Sequence, residues 1–318
     1  MSFRLIRGES IETGLRRIVA EEIDGAIVNL RNEDESLRDQ DIHEARKSVK
    51  KLRSVVCLLM PGLGTTGIRD NLSLRETGRA LSQLRDAAAL IETVEALSER
   101  HFTDPAMEQL AVVRSALRRR LEDTVRAEDC RTVMGGAVAS LKHLKKKAAK
   151  WPLTGDEFAA IAPGLEGTYR RGRKCFRKAQ ADLTSDNLHA LRKRIKDYWY
   201  HVRLLPGLFA AIAARAREKE LRGLQEALGD DHNLTVLRDV LNRDPGMFGG
   251  KKMMPAVLEL IDREQAGLRE QSMASAARVY AVKTPLHVQE ISAAWALWQS
   301  DARAAKPAVR RTARPATR

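Results

Sequence analysis

Apolar residues recur every three or four positions along most of the chain, and this spacing predicts helices. Ile11, Leu15, Ile18, Val19, Ala26, Ile27 and Leu30 mark the first, which the polar run NEDESLRDQD closes. In Asp41 to Gly64, Ile42, Ala45, Val49, Leu52, Val56 and Leu59 share one side of a helical wheel. Asp41 is placed to cap that helix, with Glu44 three residues on, and Pro61-Gly62 to stop it. Residues 71–99 follow through Leu74, Leu81, Leu84, Ile91, Val94 and Leu97, then 105–128 through Met107, Leu110, Val113, Leu117 and Leu121. These four helices make a first half. Residues 132–150, with Gly135-Gly136 inside, predict a bridging helix that Trp151-Pro152 and Gly155 interrupt.

The pattern resumes after Phe158 with Tyr169, Phe176, Ala179 and Leu183 on one helix side. A helix capped by Asn187 and stopped by Pro206-Gly207 comes next. Residues 209–228, a GDDHN interruption, 233–242, 253–273 and 285–300 complete a second half. Sustained period-two alternation is missing, so the fold class is all-α, with at most a few extended residues near Phe3.

The polar faces of two of these helices repeat each other. His43, Arg46, Lys47 and Lys50 lie within a stripe about 100° wide opposite the apolar side. His189, Arg192, Lys193 and Lys196 occupy the matching stripe in NLHALRKRIKDYWYHVRLLPGL, 146 residues later. Arg85-Asp86 and His232-Asn233 form a further matching pair at an offset of 147. A third basic stripe, Arg170, Arg173, Lys174 and Arg177, lies on the helix between the copies. The chain therefore divides into two tandem, duplicated four-helix-type units, residues 1–150 and 151–300, followed by a basic tail, 301–318, too poor in apolar residues to pack.

Composition sharpens this picture. The net charge of +14 includes +5 from Asp301 to Arg318, leaving +9 on the folded part and pointing to a polyanionic partner. Cys57, Cys130 and Cys175 are odd in number and form no CxxC pattern, which argues against a disulfide framework or a thiolate metal site. The N-terminus lacks a signal-peptide apolar region, and the longest apolar run, Ile291 to Trp298, is less than half a membrane span. A cytoplasmic protein without membrane segments is expected.

Cations at successive turns, roughly 5.4 Å apart, repel one another by a few tenths of a kcal/mol per pair unless an anion neutralises them. A single stripe of this kind is ordinarily a solvated face; duplication and the third stripe favour a ligand with regularly spaced charges. His43 and His189 also stand in first turns, where free N–H groups and the helix dipole favour an anion. For these two histidines, contact with a neighbouring helix and contact with a ligand are both open.

The segments IHEARKSVKKLR, YRRGRKCFRKAQ with LHALRKRIKDYWYHVRLLPGL, and LQEALGDDHNLTVLRDVL together resemble the CHAD domain, named for histidines in an all-helical domain. The resemblance covers roughly residues 8–300. It implies two helical bundles related by a pseudo-twofold axis, with basic faces lining a central pore or groove that binds inorganic polyphosphate. In some bacteria it also implies association with polyphosphate granules. Carried over by residue, it places His43, Arg46, Lys47, Lys50, His189, Arg192, Lys193 and Lys196 at the ligand, joined by Arg170, Arg173, Lys174 and Arg177. Tyr200 and Arg203 extend the second stripe where the first has Ser54 and Cys57, so an asymmetric groove is expected. Family members are often joined to a CYTH domain marked by ExExK; that motif does not occur, so a standalone domain is implied.

Non-catalytic polyphosphate binding without a cofactor is the leading expectation. Nucleic-acid binding is the alternative: the basic tail fits, but 14 aromatic residues, several on core faces, leave few stacking platforms. A metal-dependent polyphosphate hydrolase would need carboxylates inside the basic groove, and the stripes hold only Glu44 at their edge. The metal-capable side chains of GDDHN are expected to serve as helix caps, and neither a P-loop nor a dinucleotide motif is present.

Overall fold

A computed structural model of the protein describes residues 3–304 apart from 7, 125–126, 154–157, 206–210, 251 and 253. The side chains of 122–124, 127–129, 211–217, 299 and 301–304 lie outside that description, as does the predicted tail beyond 304. Among the described residues the chain forms ten α-helices and no strand. They are α1 (Ile11–Leu30), α2 (Arg38–Gln83), α3 (Asp86–Arg100), α4 (Met107–Thr124), α5 (Ala127–Ala148), α6 (Ala162–Ala181), α7 (Ser185–Leu204), α8 (Ala211–Arg243), α9 (Met254–Val279) and α10 (Thr284–Ala304). No described helix is long and apolar enough to cross a membrane.

Three hydrophobic clusters hold these helices. The first joins α1, both arms of α2 and α5, and receives Trp151, Ile161, Leu165 and, from α10, Trp295. The second joins α3 and α4 to Leu234, Leu237 and Leu241 of α8 and to Val257, Leu260 and Ile261 of α9, so it draws on residues from both sides of position 150. The third joins α6 and α7 to the earlier part of α8 and the later part of α9.

The apolar stripe expected on α2 is buried throughout, with Ile42, Ala45, Val49, Leu52, Val56 and Leu59 each nearly solvent-free. Helix boundaries differ from those expected, for identifiable reasons. Helix α2 begins three residues before Asp41, whose carboxylate instead accepts a 2.7 Å bond from Asn32. It also continues past Pro61-Gly62 to a kink at Gly64, where φ of +53° is open to glycine and costly for other residues. The segment expected as one helix over 71–99 breaks at Leu84-Arg85, because Leu74 and Leu81 pack in the first cluster while Ile91, Val94 and Leu97 pack in the second. Thr184, not Asn187, caps α7; Asn187 donates to the main-chain oxygen of Asp182 (2.7 Å). The expected stop at Pro206-Gly207 lies outside the described residues.

The GDDHN interruption is instead the middle of the continuous helix α8. Asp and Asn weaken helices when their side chains compete for the backbone. Here the Asp231 carboxylate is held by α9: it accepts from Arg269 Nε (2.6 Å) and Gln265 Nε2 (3.2 Å), and Gln265 also donates to the Asp231 main-chain oxygen (3.0 Å). Near Phe3 the chain forms no strand, but Leu5 N–H donates to Leu204 O at 2.9 Å.

Two features set α2 against its neighbours. Helix α6 approaches so closely that a Cβ at Gly164 would stand 1.7 Å from the Leu58 carbonyl oxygen. Helix α7 is tied to α2 by His201, fully buried, whose Nε2 donates to Ser54 O at 2.9 Å.

Candidate anion-binding site

Burying the apolar faces of α2 and α7 leaves their basic stripes to be arranged by the contact between these helices. The inner members of the two stripes come together. Lys196 and Lys50 lie close enough to act on each other's ionisation, and Arg46 and Arg192 act electrostatically on both. These four cations are thus gathered around one place.

Their ionisation reflects that crowding. Burial, then Lys196, Arg46, Arg192 and Arg85, push the Lys50 ammonium down from 10.5 to about 6. Burial, Arg192 and Arg46 push Lys196 down to about 8, while Asp197 and Lys50 act the other way. At neutral pH Lys50 is therefore mostly the free amine, beside the Lys196 ammonium. Burial foremost, then Arg85 at Arg46 and Arg46 at Arg192, lowers both guanidinium groups, which remain charged.

The donors of this cluster outnumber its acceptors. Nε of Arg46, Arg85 and Arg192 and Nδ1 of His189 are buried without a hydrogen-bond partner in the protein. A buried donor left unsatisfied costs about 1–3 kcal/mol, and more when charged. The nearby carboxylates each face a cation: Asp86 attracts Arg46, Asp230 attracts Arg192, and Glu92 pairs with Arg85. Among the described residues, no group of three or more His, Cys, Asp or Glu side chains is placed to hold a metal ion.

The histidines do not extend the row of cations. Burial, then Arg85 and Lys47, lowers His43; burial, then Lys193 and Arg192, lowers His189, so the site favours the neutral form of both. The His189 ring packs on that of His232 with centroids 4.3 Å apart, and burial with Arg192 and His189 pushes His232 down to about 4. Lys47 and Lys193 are exposed, and Lys47 pairs with Glu44 at 2.8 Å.

On α6, Arg170, Lys174 and Arg177 are exposed and Arg173 is half-buried; Arg170 pairs with Glu166 at 3.0 Å. Tyr200 is buried, with the Phe3 ring edge-on at 5.8 Å. Arg203 lies over the Trp199 ring at 4.9 Å and 3.7 Å from Glu218. At the matching positions of α2, Ser54 is buried and Cys57 half-buried. Arg85 and His232 join the neighbourhood of the site although neither lies on a basic stripe. Their equivalence at an offset of 147 was the signal that marked them as corresponding parts of the two halves.

Comparison with known proteins bears directly on this helical arrangement. A profile of the CHAD domain matches residues 22–242, more than half of the chain. The chain belongs to the CHAD domain family. The crystal structure of the CHAD domain from the plant Ricinus communis is similar in fold, with a TM-score of 0.58 at 15% identity over 92% of this chain and 95% of that one. No curated protein matches the chain. In this CHAD domain, residues of both repeated motifs, Lys50 and Lys196, meet at the α2–α7 contact.

Proposed function

We propose that this CHAD domain binds inorganic polyphosphate without breaking it down, at the cluster between α2 and α7. One observation carries the reading: the Lys50 and Lys196 side chains come together beside Arg46, Arg192 and Arg85, whose buried Nε–H groups lack acceptors. An anion would supply acceptors to those donors and restore the charge on Lys50. Phosphate oxygens suit guanidinium and ammonium donors, and a chain of phosphates gains from many contacts of modest strength. The cluster is recessed between packed helices, which favours a thin flexible polyanion over the stiff cylinder of duplex DNA. Catalysis is outside the proposal because each carboxylate beside the cluster already faces a cation. Such binding would also suit attachment to polyphosphate granules.

The test is titration of the full chain with polyphosphate and with duplex DNA at matched phosphate concentration and physiological salt. Polyphosphate should bind at least about 10-fold more tightly, with affinity falling as salt rises. Equal affinity for both would favour a nucleic-acid-binding protein.

A further inference from the structure

The two halves differ at one junction beside the site. In the first, the chain turns at Leu84-Arg85 and α3 starts afresh at Asp86; in the second, the matching His232 lies inside the unbroken α8. The break frees the first-turn N–H groups of Asp86, Ala87 and Ala88, which have no intrahelical acceptor, and no side chain caps them. Mid-helix N–H groups around His232 are already committed to the helix.

An uncapped terminus alone is ordinary, but the residue at this one is not. The Arg85 side chain is only 6% exposed, donates through Nη2 to Glu92, and keeps a buried Nε–H without an acceptor. Arg85 is the foremost charge acting on both His43 and Arg46, and it acts on Lys50 as well. Arg46 Nε–H is likewise unsatisfied, and the carboxylates drawing on Arg46 are Asp86, in the first turn of α3, and, less strongly, Glu92. Cationic donors and a free helix N-terminus thus converge from α2, the junction and α3.

We propose that the α3 N-terminus, Arg85 and Arg46 form a phosphoryl-group subsite at one edge of the Lys50–Lys196 cluster. It rests on the reading of that cluster as an anion site and adds to it a defined place for one phosphate of the ligand. Backbone N–H groups and the helix dipole would face the phosphate oxygens, with the two Nε–H groups as further donors. The Asp86 carboxylate competes for Arg46 and would be displaced. Since the second half offers His189 packed against His232 in place of a helix terminus, the ligand is held unequally by the two halves.

Calorimetric titration of the full chain with tripolyphosphate separates the possibilities. Ala87→Pro removes one first-turn N–H while leaving every charge in place, at a position where proline is tolerated. Arg85→Lys keeps the charge but not Nε–H, and Asp86→Asn removes the competing carboxylate. Ala87→Pro and Arg85→Lys should each weaken binding about 3- to 10-fold, whereas Asp86→Asn should strengthen it about 2- to 5-fold. The opposite sign matters, because losing an acidic group from a first turn can only weaken the helix. Should Ala87→Pro lose helical content by circular dichroism, the other two variants decide. If all three bind as wild type does while Lys196→Glu has lost affinity, the subsite is wrong and the cluster reading stands. If wild type binds neither tripolyphosphate nor long polyphosphate, the cluster reading falls and the subsite with it.

Discussion

His201 Nε2 donates to the main-chain oxygen of Ser54 at 2.9 Å, across the contact between α7 and α2. Ser54 lies one turn beyond Lys50, and His201 a little over one turn beyond Lys196. The bond therefore acts as a strut that holds together two helices whose facing lysines would repel if both were charged. His201→Ala should cost about 2–4 kcal/mol in urea unfolding, from the lost bond and the cavity together. Burial pushes His201 down from 6.5 to about 4. As pH falls through 6.5 the unfolded chain takes up a proton that the folded protein refuses until about pH 4, so wild type loses stability across that window. The variant lacks this group, and its deficit should shrink as pH falls from 6.5 to 4.

Lys50 is a place where stability and binding oppose each other. Its ammonium is pushed down to about 6 when folded, against 10.5 ordinarily, so between those values the unfolded chain binds more protons and stability rises with pH. Lys50→Met removes a poorly solvated, repelled group and keeps its volume. The unliganded variant should be more stable by about 1 kcal/mol or more near pH 7, and should lose part of the rise with pH. Thermal unfolding across pH 6 to 10 measures both; a clear loss of stability would mean that Lys50 is held by favourable contacts rather than strained.

Anion binding should draw protons in. At pH 7.5 free Lys50 is mostly neutral, and a bound polyanion would return it to the charged form. Calorimetry with polyphosphate in buffers of different ionisation enthalpy should show uptake of about one proton per site, and affinity should fall as pH rises from 7 toward 10. In Lys50→Met most of the uptake should vanish. Binding with no proton exchange in wild type would place the ligand elsewhere.

Asp70 fastens the end of α5 to the second arm of α2. It is buried, pairs with Lys147, and accepts from Trp151 Nε1 at 3.0 Å. Asp70→Ala should destabilise by about 3–5 kcal/mol, because a partly buried ammonium and an indole N–H lose their acceptor together. Polyphosphate affinity at a temperature where the variant is folded should be unchanged, since Asp70 belongs to the first hydrophobic cluster's surroundings rather than to the cationic one.

The helices themselves were legible in the chain because amphipathic periodicity is a local property: Ile42 through Leu59 on α2 and Leu188, Leu191, Ile195 and Tyr198 on α7 are buried as their spacing requires. Junctions were less so. A break at Leu84-Arg85 depends on Leu81 and Ile91 packing in different clusters, and the continuity of α8 through Asp231 depends on Arg269 and Gln265 of α9. Neither cause is local. Among the site residues, Arg46, Lys50, Arg192 and Lys196 stood out by their repeated spacing, but a helical wheel does not say which helix it will meet. That the two stripes face each other, and that Arg85 joins them from a junction, follows only from the packing of α2 against α7 and from the turn before α3.

The central claim is that the α2 and α7 stripes share one anion, and a double-substitution cycle tests it most directly. Tripolyphosphate affinity would be measured for wild type, Lys50→Met, Lys196→Met and the pair, with circular dichroism to check that each is folded. Each single substitution should weaken binding about 10-fold or more, and the combined effect should depart from additivity by more than about 0.5 kcal/mol, as for groups that touch a common partner. Additive effects, or undiminished affinity in either single variant, would contradict a shared site and return the basic stripes to the role of solvated helix faces.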